Sequence, residues 1–141
     1  MSFNIPEYVK MCKKAKEIQK NWIPKTGDIL AKEINKYSFA ILVVYLSYNA
    51  TRIKDYIWLP TQEQLQKMIF KNVSVIFMLN GFYKWCMENL EYINQFTTME
   101  ELWLAYVMYE KYSKIWDNKK GKWIKKKGVK NANTRKRLGM H

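Results

Sequence analysis

Apolar positions crowd one stretch of this chain more than any other. Between Thr98 and Trp116, residues Met99, Leu102, Trp103, Tyr106, Met108, Tyr109, Tyr112 and Ile115 recur at helical spacing, and Leu104, Ala105 and Val107 fill the gaps. A helix that is apolar around most of its circumference belongs inside a fold and not on its surface. Thr98 with Glu101 three residues later marks its start as a capping box, in which two side chains answer two unpaired N–H groups. The rest of the chain is therefore predicted to wrap this helix.

The segments before it show three different patterns. Pro6 to Trp22 reads as a helix capped by Asn4, with Tyr8, Met11, Cys12, Ala15, Ile18 and Trp22 in one stripe. Its lysines, Lys10, Lys13, Lys14, Lys16 and Lys20, read as a solvated face, with a secondary phosphate-contact surface as the alternative. A turn at Pro24-Lys25-Thr26-Gly27-Asp28 ends that helix, and the period then changes. Asp28 to Lys32, Tyr37 to Tyr48 and Asp55 to Leu59 are predicted strands, separated by turns at Asn35-Lys36 and Asn49-Ala50-Thr51. The unbroken apolar run of the second predicts a central strand covered on both faces for part of its length.

Pro60 stops the third strand, and Thr61 with Gln64 forms a second capping box, leading a helix with Leu65, Met68 and Ile69 on its apolar side. Asn72 interrupts. Ser74 caps a longer helix reaching about Asn94, with Val75, Leu79, Phe82, Cys86, Leu90 and Ile93 on one side and a kink or break expected at Asn80-Gly81. After the buried helix, Lys114 to Asp117 and Lys122 to Lys125 read as a hairpin with Trp116 facing Trp123. The expected fold is α+β: an N-terminal helix, a small three-stranded antiparallel sheet, three following helices, a short C-terminal hairpin and a basic tail. One domain over 1–124 and a flexible tail over 125–141 are expected.

Length and composition fit this picture. A chain of 141 residues with 48% hydrophobic and 26% charged residues is a single globular domain with a real core. Six Trp, ten Tyr and six Phe read mainly as core rings, with a stacking or interface surface as the alternative. Cys12 and Cys86 fall on apolar helix faces and read as reduced thiols of a cytoplasmic protein, with a disulfide as the lesser alternative. Pro6 and Glu7 stand where the apolar part of a signal peptide would begin, and the longest apolar run is too short to span a bilayer. No membrane association is expected.

Charge changes the picture more. The net charge of +13 is unevenly spread. Lys119 to His141 holds ten basic residues and no acid, whereas the preceding 118 residues carry 15 basic and 12 acidic side chains, a balance of +3. Lys119, Lys120, Lys122, Lys125, Lys126, Lys127, Lys130, Arg135, Lys136 and Arg137 form an anion-binding segment, because such a run releases condensed counterions on meeting phosphates. Trp123, with Trp116, is a candidate for stacking on bases, the alternative being that both simply pack the hairpin. Charge of this kind gives affinity without sequence choice.

Catalytic chemistry is sparse. The only histidine is the terminal His141, so a nucleophile–His arrangement lacks a positioned base. Two separated cysteines make no zinc spacing, and five scattered glycines make no phosphate loop. Glu100 and Glu101 read as partners of the helix N-terminus. A carboxylate-held metal at Asp28, Asp55 and Glu63 is a minor alternative that would make the protein a nuclease. No catalytic residue, cofactor or resident metal is expected.

Three blocks in order, Ile57 to Met68 (IWLPTQEQLQKM), Thr98 to Ala105 (TMEELWLA) and Lys114 to Trp123 (KIWD…KW), together with Ala15 to Asp28 (AKEIQKNWIPKTGD), resemble a group of small uncharacterised proteins of phages and prophages of Firmicutes. The similarity spans roughly Tyr8 to Trp123. Proteins of that group end soon after the KW block, often with acids beside it, and this chain departs by its basic extension from Lys125 to His141. The resemblance implies a phage accessory role in the host bacterial cytoplasm, in host takeover or counter-defence. The expectation is a non-enzymatic protein that binds nucleic acid, a nucleotide signal or a host nucleoprotein through its basic segment. The alternative is a protein–protein module, or an inhibitor of a host defence protein, acting through the aromatic domain. Homo-oligomerisation stays open.

Overall fold

The computed structural model describes residues 5–36, 38–45, 55–70 and 73–126. The Asn4 cap, the Asn49-Ala50-Thr51 turn, the Asn72 interruption and the tail beyond residue 126 lie outside them. The chain runs α1 (Ile5–Lys14), α2 (Lys16–Asn21), β1 (Ile29–Asn35), β2 (Ser38–Val43), β3 (Ile57–Leu59), α3 (Gln62–Ile69), α4 (Val75–Glu88), α5 (Leu90–Ile93), α6 (Met99–Tyr112), β4 (Lys114–Asp117) and β5 (Lys122–Lys125). It is the α+β arrangement expected, with one three-stranded antiparallel sheet and one hairpin.

α6 lies at the centre. Trp103, Leu104, Ala105, Val107 and Met108 are almost wholly buried, and Tyr106 nearly so. α3 and α1 pack against it from different sides, and β4 continues directly from its end. Thr98 accepts from the Glu101 N–H at 3.2 Å, but the Glu101 carboxylate returns to the Thr97 N–H at 3.4 Å and to the Thr97 and Thr98 hydroxyls. The box is thus shifted by one residue on its return side. At α3 both halves form as predicted: the Thr61 hydroxyl accepts from the Gln64 N–H at 3.2 Å, and the Gln64 side chain accepts from the Thr61 N–H at 2.9 Å.

The predicted first helix is two. Ala15 leaves helical geometry (ψ 70°), so α1 and α2 bend there, yet Tyr8, Met11, Cys12, Ala15 and Ile18 all stay buried. The predicted break at Asn80-Gly81 does not occur. α4 runs instead to Glu88, with Asn89 as its cap, and α5 is the separate last turn.

The sheet order is β2-β1-β3, which puts β1 in the middle. The apolar run expected at the centre is an edge strand: on one face Ile41 and Val43 are exposed and only Phe39 packs on the core, while Leu42 packs on the core from the other face. β1 takes the middle because it pairs with its hairpin partner β2 on one side and receives β3 on the other. The free edge of β3 is covered by a side chain. The Gln19 amide accepts from the Trp58 N–H at 3.0 Å and donates to its carbonyl at 2.9 Å, imitating a neighbouring strand.

The α4 face also differs from the pattern. Phe82 and Trp85 are the buried residues, with Cys86 and Ile93 packed at the margin, whereas Val75, Leu79 and Leu90 are exposed. Rings form the seam with α6. Phe82 stacks on Trp103 at 3.8 Å between centroids, and Trp85 meets Tyr106 and Tyr109 at 4.9 and 5.6 Å. Each such pair adds about 0.5–1.5 kcal/mol beyond the area it buries. Cys12 and Cys86 are both free, and none of the described helices is long and apolar enough to cross a membrane.

Candidate anion-binding surface

The C-terminal hairpin forms in the predicted register, with Trp116 opposite Trp123 and Asp117 opposite Lys122. Its turn is built by two residues. The Asp117 carboxylate accepts from the Lys120 N–H at 3.0 Å, and Gly121 takes a left-handed φ of 65°, which a residue without Cβ adopts freely. The Lys10 side chain of α1 lies across Gly121, so closely that a Cβ there would sit 2.8 Å from Lys10 Cε. The turn therefore lies against the first helix, with Lys10 beside the lysines of the hairpin.

The two indoles do not belong to that surface. Trp116 and Trp123 meet at 5.1 Å and are buried. Trp123 Nε1 donates to the Met11 carbonyl at 3.0 Å, and Trp116 Nε1 to the Glu7 carboxylate at 3.2 Å. Trp123 is therefore no stacking platform for bases in this fold; its ring closes the core over α1. The hairpin-packing alternative holds for both.

The cations separate into two groups. Lys119, Lys120, Lys122 and Lys125 are exposed, and none forms an ion pair with a described residue. Lys126 is partly buried and turned inward, donating to the Tyr109 hydroxyl with its Nζ 3.9 Å from that ring's centroid. Lys114 is likewise occupied, by an ion pair with Glu17. Lys127, Lys130, Arg135, Lys136 and Arg137 lie outside the described residues. What the structure brings together is Lys119, Lys120 and Lys122 at the turn, with Lys10 beside it; Lys125 stands at the other end of β5, opposite Lys114.

Of the three carboxylates that could hold a metal, Asp55 is exposed and the other two are engaged elsewhere. Asp28 is almost wholly buried and accepts from Trp22 Nε1 at 2.8 Å, the Lys25 N–H at 2.9 Å and Gln64 Nε2 at 2.7 Å. Glu63 forms an exposed pair with Lys67. Among the described residues no three acidic, histidine or cysteine side chains gather as metal ligands. Glu100 and Glu101 do sit at the α6 N-terminus, but they are buried there, beside Tyr8 and Cys12. Burial first, then Cys12 and the two glutamates, raises the Tyr8 hydroxyl well above its ordinary value, and burial likewise pushes the Cys12 thiol up. A thiol held in that state is no nucleophile.

A second polar hub escaped the sequence reading. Asp28 ties the loop after α2 to α3, and above it Trp22 stacks on Trp58 at 5.7 Å with an interplanar angle of 11°. The Trp22-to-Asp28 spacing carries no motif; only the turn signal at Gly27 hinted that this loop is fixed. Comparison with protein-family models, with curated proteins and with solved structures finds no match to this chain.

Proposed function

We propose that this protein is a non-enzymatic phage accessory protein that binds an anionic partner, nucleic acid, a nucleotide signal or a nucleoprotein, and acts by sequestering it or blocking its surface. The observation that carries this reading is the exposed, unpaired lysine patch on the hairpin, set on a rigid base. Trp116 and Trp123 anchor the strands in the core, and the Asp117 cap holds the turn. Cations on a fixed scaffold lose less freedom on meeting phosphates than cations on a loose chain. The resemblance to phage proteins supports the accessory role, and the basic run beyond residue 126 supports the same partner chemistry.

Replacing Lys119, Lys120 and Lys122 by Glu in the full chain tests it. A chain cut before β5 would not, because it would remove the buried Trp123. Binding of single-stranded RNA and DNA, measured by fluorescence anisotropy against salt, is expected to weaken sharply, and the slope of log K on log salt to flatten by about 2. Unchanged affinity and slope would overturn the hairpin assignment. Capture of a protein partner that survives high salt would instead move the function to the exposed apolar residues of α4.

A further inference from the structure

A cleft of about 390 Å3 opens where α2, the loop after it, β3, α3 and the end of α6 meet. We propose that it binds a small planar aromatic anion of the nucleoside monophosphate class. The site is separate from the hairpin lysines and does not rest on them.

Its size falls within the range of small-molecule pockets. One wall is the Trp22–Trp58 pair. Trp58 is buried and Trp22 only half so, which makes Trp22 the outer ring of a two-ring stack. The Trp22 indole is held by its bond to Asp28, and the Trp58 ring is held by burial, on a strand whose backbone the Gln19 amide pairs. A flat ring laid on Trp22 extends the stack without asking the protein to reorganise.

Cations from three separate parts of the chain also line the cleft. Lys25 comes from the loop after α2, Lys67 from α3 and Lys111 from the last turn of α6. The one acid in the lining, Asp28, is buried and already accepts three hydrogen bonds. Lys67 is shared with Glu63, but both side chains are about three-quarters exposed (72% and 76%), so that pair yields easily to a phosphate. Three lysines facing one occupied carboxylate favour an anion, and the half-buried Trp22 beside them favours an aromatic one. Asn21 and Tyr112 border the cleft with polar groups suited to a ribose. A cleft of about 390 Å3 has room for a single nucleotide.

The experiment is isothermal titration of the full chain with AMP, GMP, CMP and UMP at low salt, with adenosine and ribose 5-phosphate as half-ligands. At least one nucleotide is expected to bind saturably at one site. Each half-ligand should bind at least about tenfold more weakly than the whole. Replacing Lys25, Lys67 and Lys111 by Gln should lower nucleotide affinity by about tenfold or more and leave the weak adenosine binding unchanged. Trp22→Leu should abolish both, and the lysine variant covers the case in which Trp22→Leu fails to fold. The protein with Lys119, Lys120 and Lys122 changed to Glu should bind the nucleotide as the parent does. No saturable binding of any of the four nucleotides at millimolar concentration, or affinity unchanged in the Gln variant, overturns the proposal. So does binding that is lost with the hairpin lysines.

Discussion

Asp28 is a buried charge that the fold keeps because three donors converge on it. The turn before it explains how. Gly27, at φ 95°, occupies the third position of a turn closed by the Asp28 N–H on the Lys25 carbonyl at 3.0 Å. That turn brings the Lys25 N–H back to the carboxylate, while α2 delivers Trp22 and α3 delivers Gln64. Asp28→Ala leaves an indole N–H and a backbone N–H without their acceptor, and hydrogen bonds to a charged group contribute about 1.5–3 kcal/mol each. A loss of about 3–5 kcal/mol is expected in urea unfolding, with the slope unchanged. A loss within about 0.5 kcal/mol would show that the hub is dispensable. The sequence marked Asp28 only as an acid near a strand start, because its two side-chain partners are 6 and 36 residues away and belong to different elements. The same is true of Lys25, Lys67 and Lys111. Short-range spacing reveals what one element presents, and a cleft assembled from four elements leaves no such trace.

Elements with local signals were legible. Thr61 and Gln64, the hairpin register, and the α1 stripe all depend on contacts within one element or across one turn. α4 shows where legibility ends. Its sequence is apolar on several sides, so its period selects no face, and the face it buries is chosen by rings on α6. Trp85 fits between Tyr92, Tyr106 and Tyr109, and Phe82 on Trp103. Gly81 does not break the helix. Its φ is not positive and a Cβ there would meet the Tyr106 hydroxyl at an ordinary 3.6 Å, so the position is compatible with a continuous helix. Ile76, Phe77 and Tyr83 are left on the outside, each about two-thirds exposed (68%, 66% and 65%). Trp85→Ala should therefore cost about 3–5 kcal/mol, and Phe77→Ala no more than about 0.5 kcal/mol. Equal losses in thermal unfolding would mean that the outer face of α4 is also covered. β2 teaches a related lesson: an apolar run names a strand, but its place in the sheet is set by which neighbours the chain brings to β1.

At the scale of the molecule, the titratable groups define the pH range in which the fold holds. On the acid side stands Glu17. Burial raises its carboxyl, but hydrogen bonds from Lys114 and from its own backbone, with the Lys114 charge, outweigh burial and hold it below the usual range. A lowered carboxylate contributes stability above its unfolded value of about 4.3, and that contribution is lost as pH falls through the folded value. The alkaline side rests on Tyr8 and Tyr92, both raised by burial, Tyr92 despite its bond from the Trp116 N–H at 2.8 Å. Their stabilising contribution is complete below the unfolded tyrosine value of about 10, and erodes as pH rises from there toward the folded values. Tyr8 has a second role, since its hydroxyl donates to the Pro60 carbonyl at 2.7 Å and ties α1 to the start of α3. The variant Tyr8→Phe separates the two. At neutral pH it should be less stable by about 1–2 kcal/mol, the worth of the bond and the cost of an unpaired carbonyl. At about pH 11 the parent must also keep a buried hydroxyl protonated while the unfolded chain ionises freely. Phenylalanine carries no such burden, so the deficit of the variant should shrink there. Urea midpoints of both proteins at the two pH values decide it. A deficit that stays constant would mean that Tyr8 does not govern the alkaline limit of the fold.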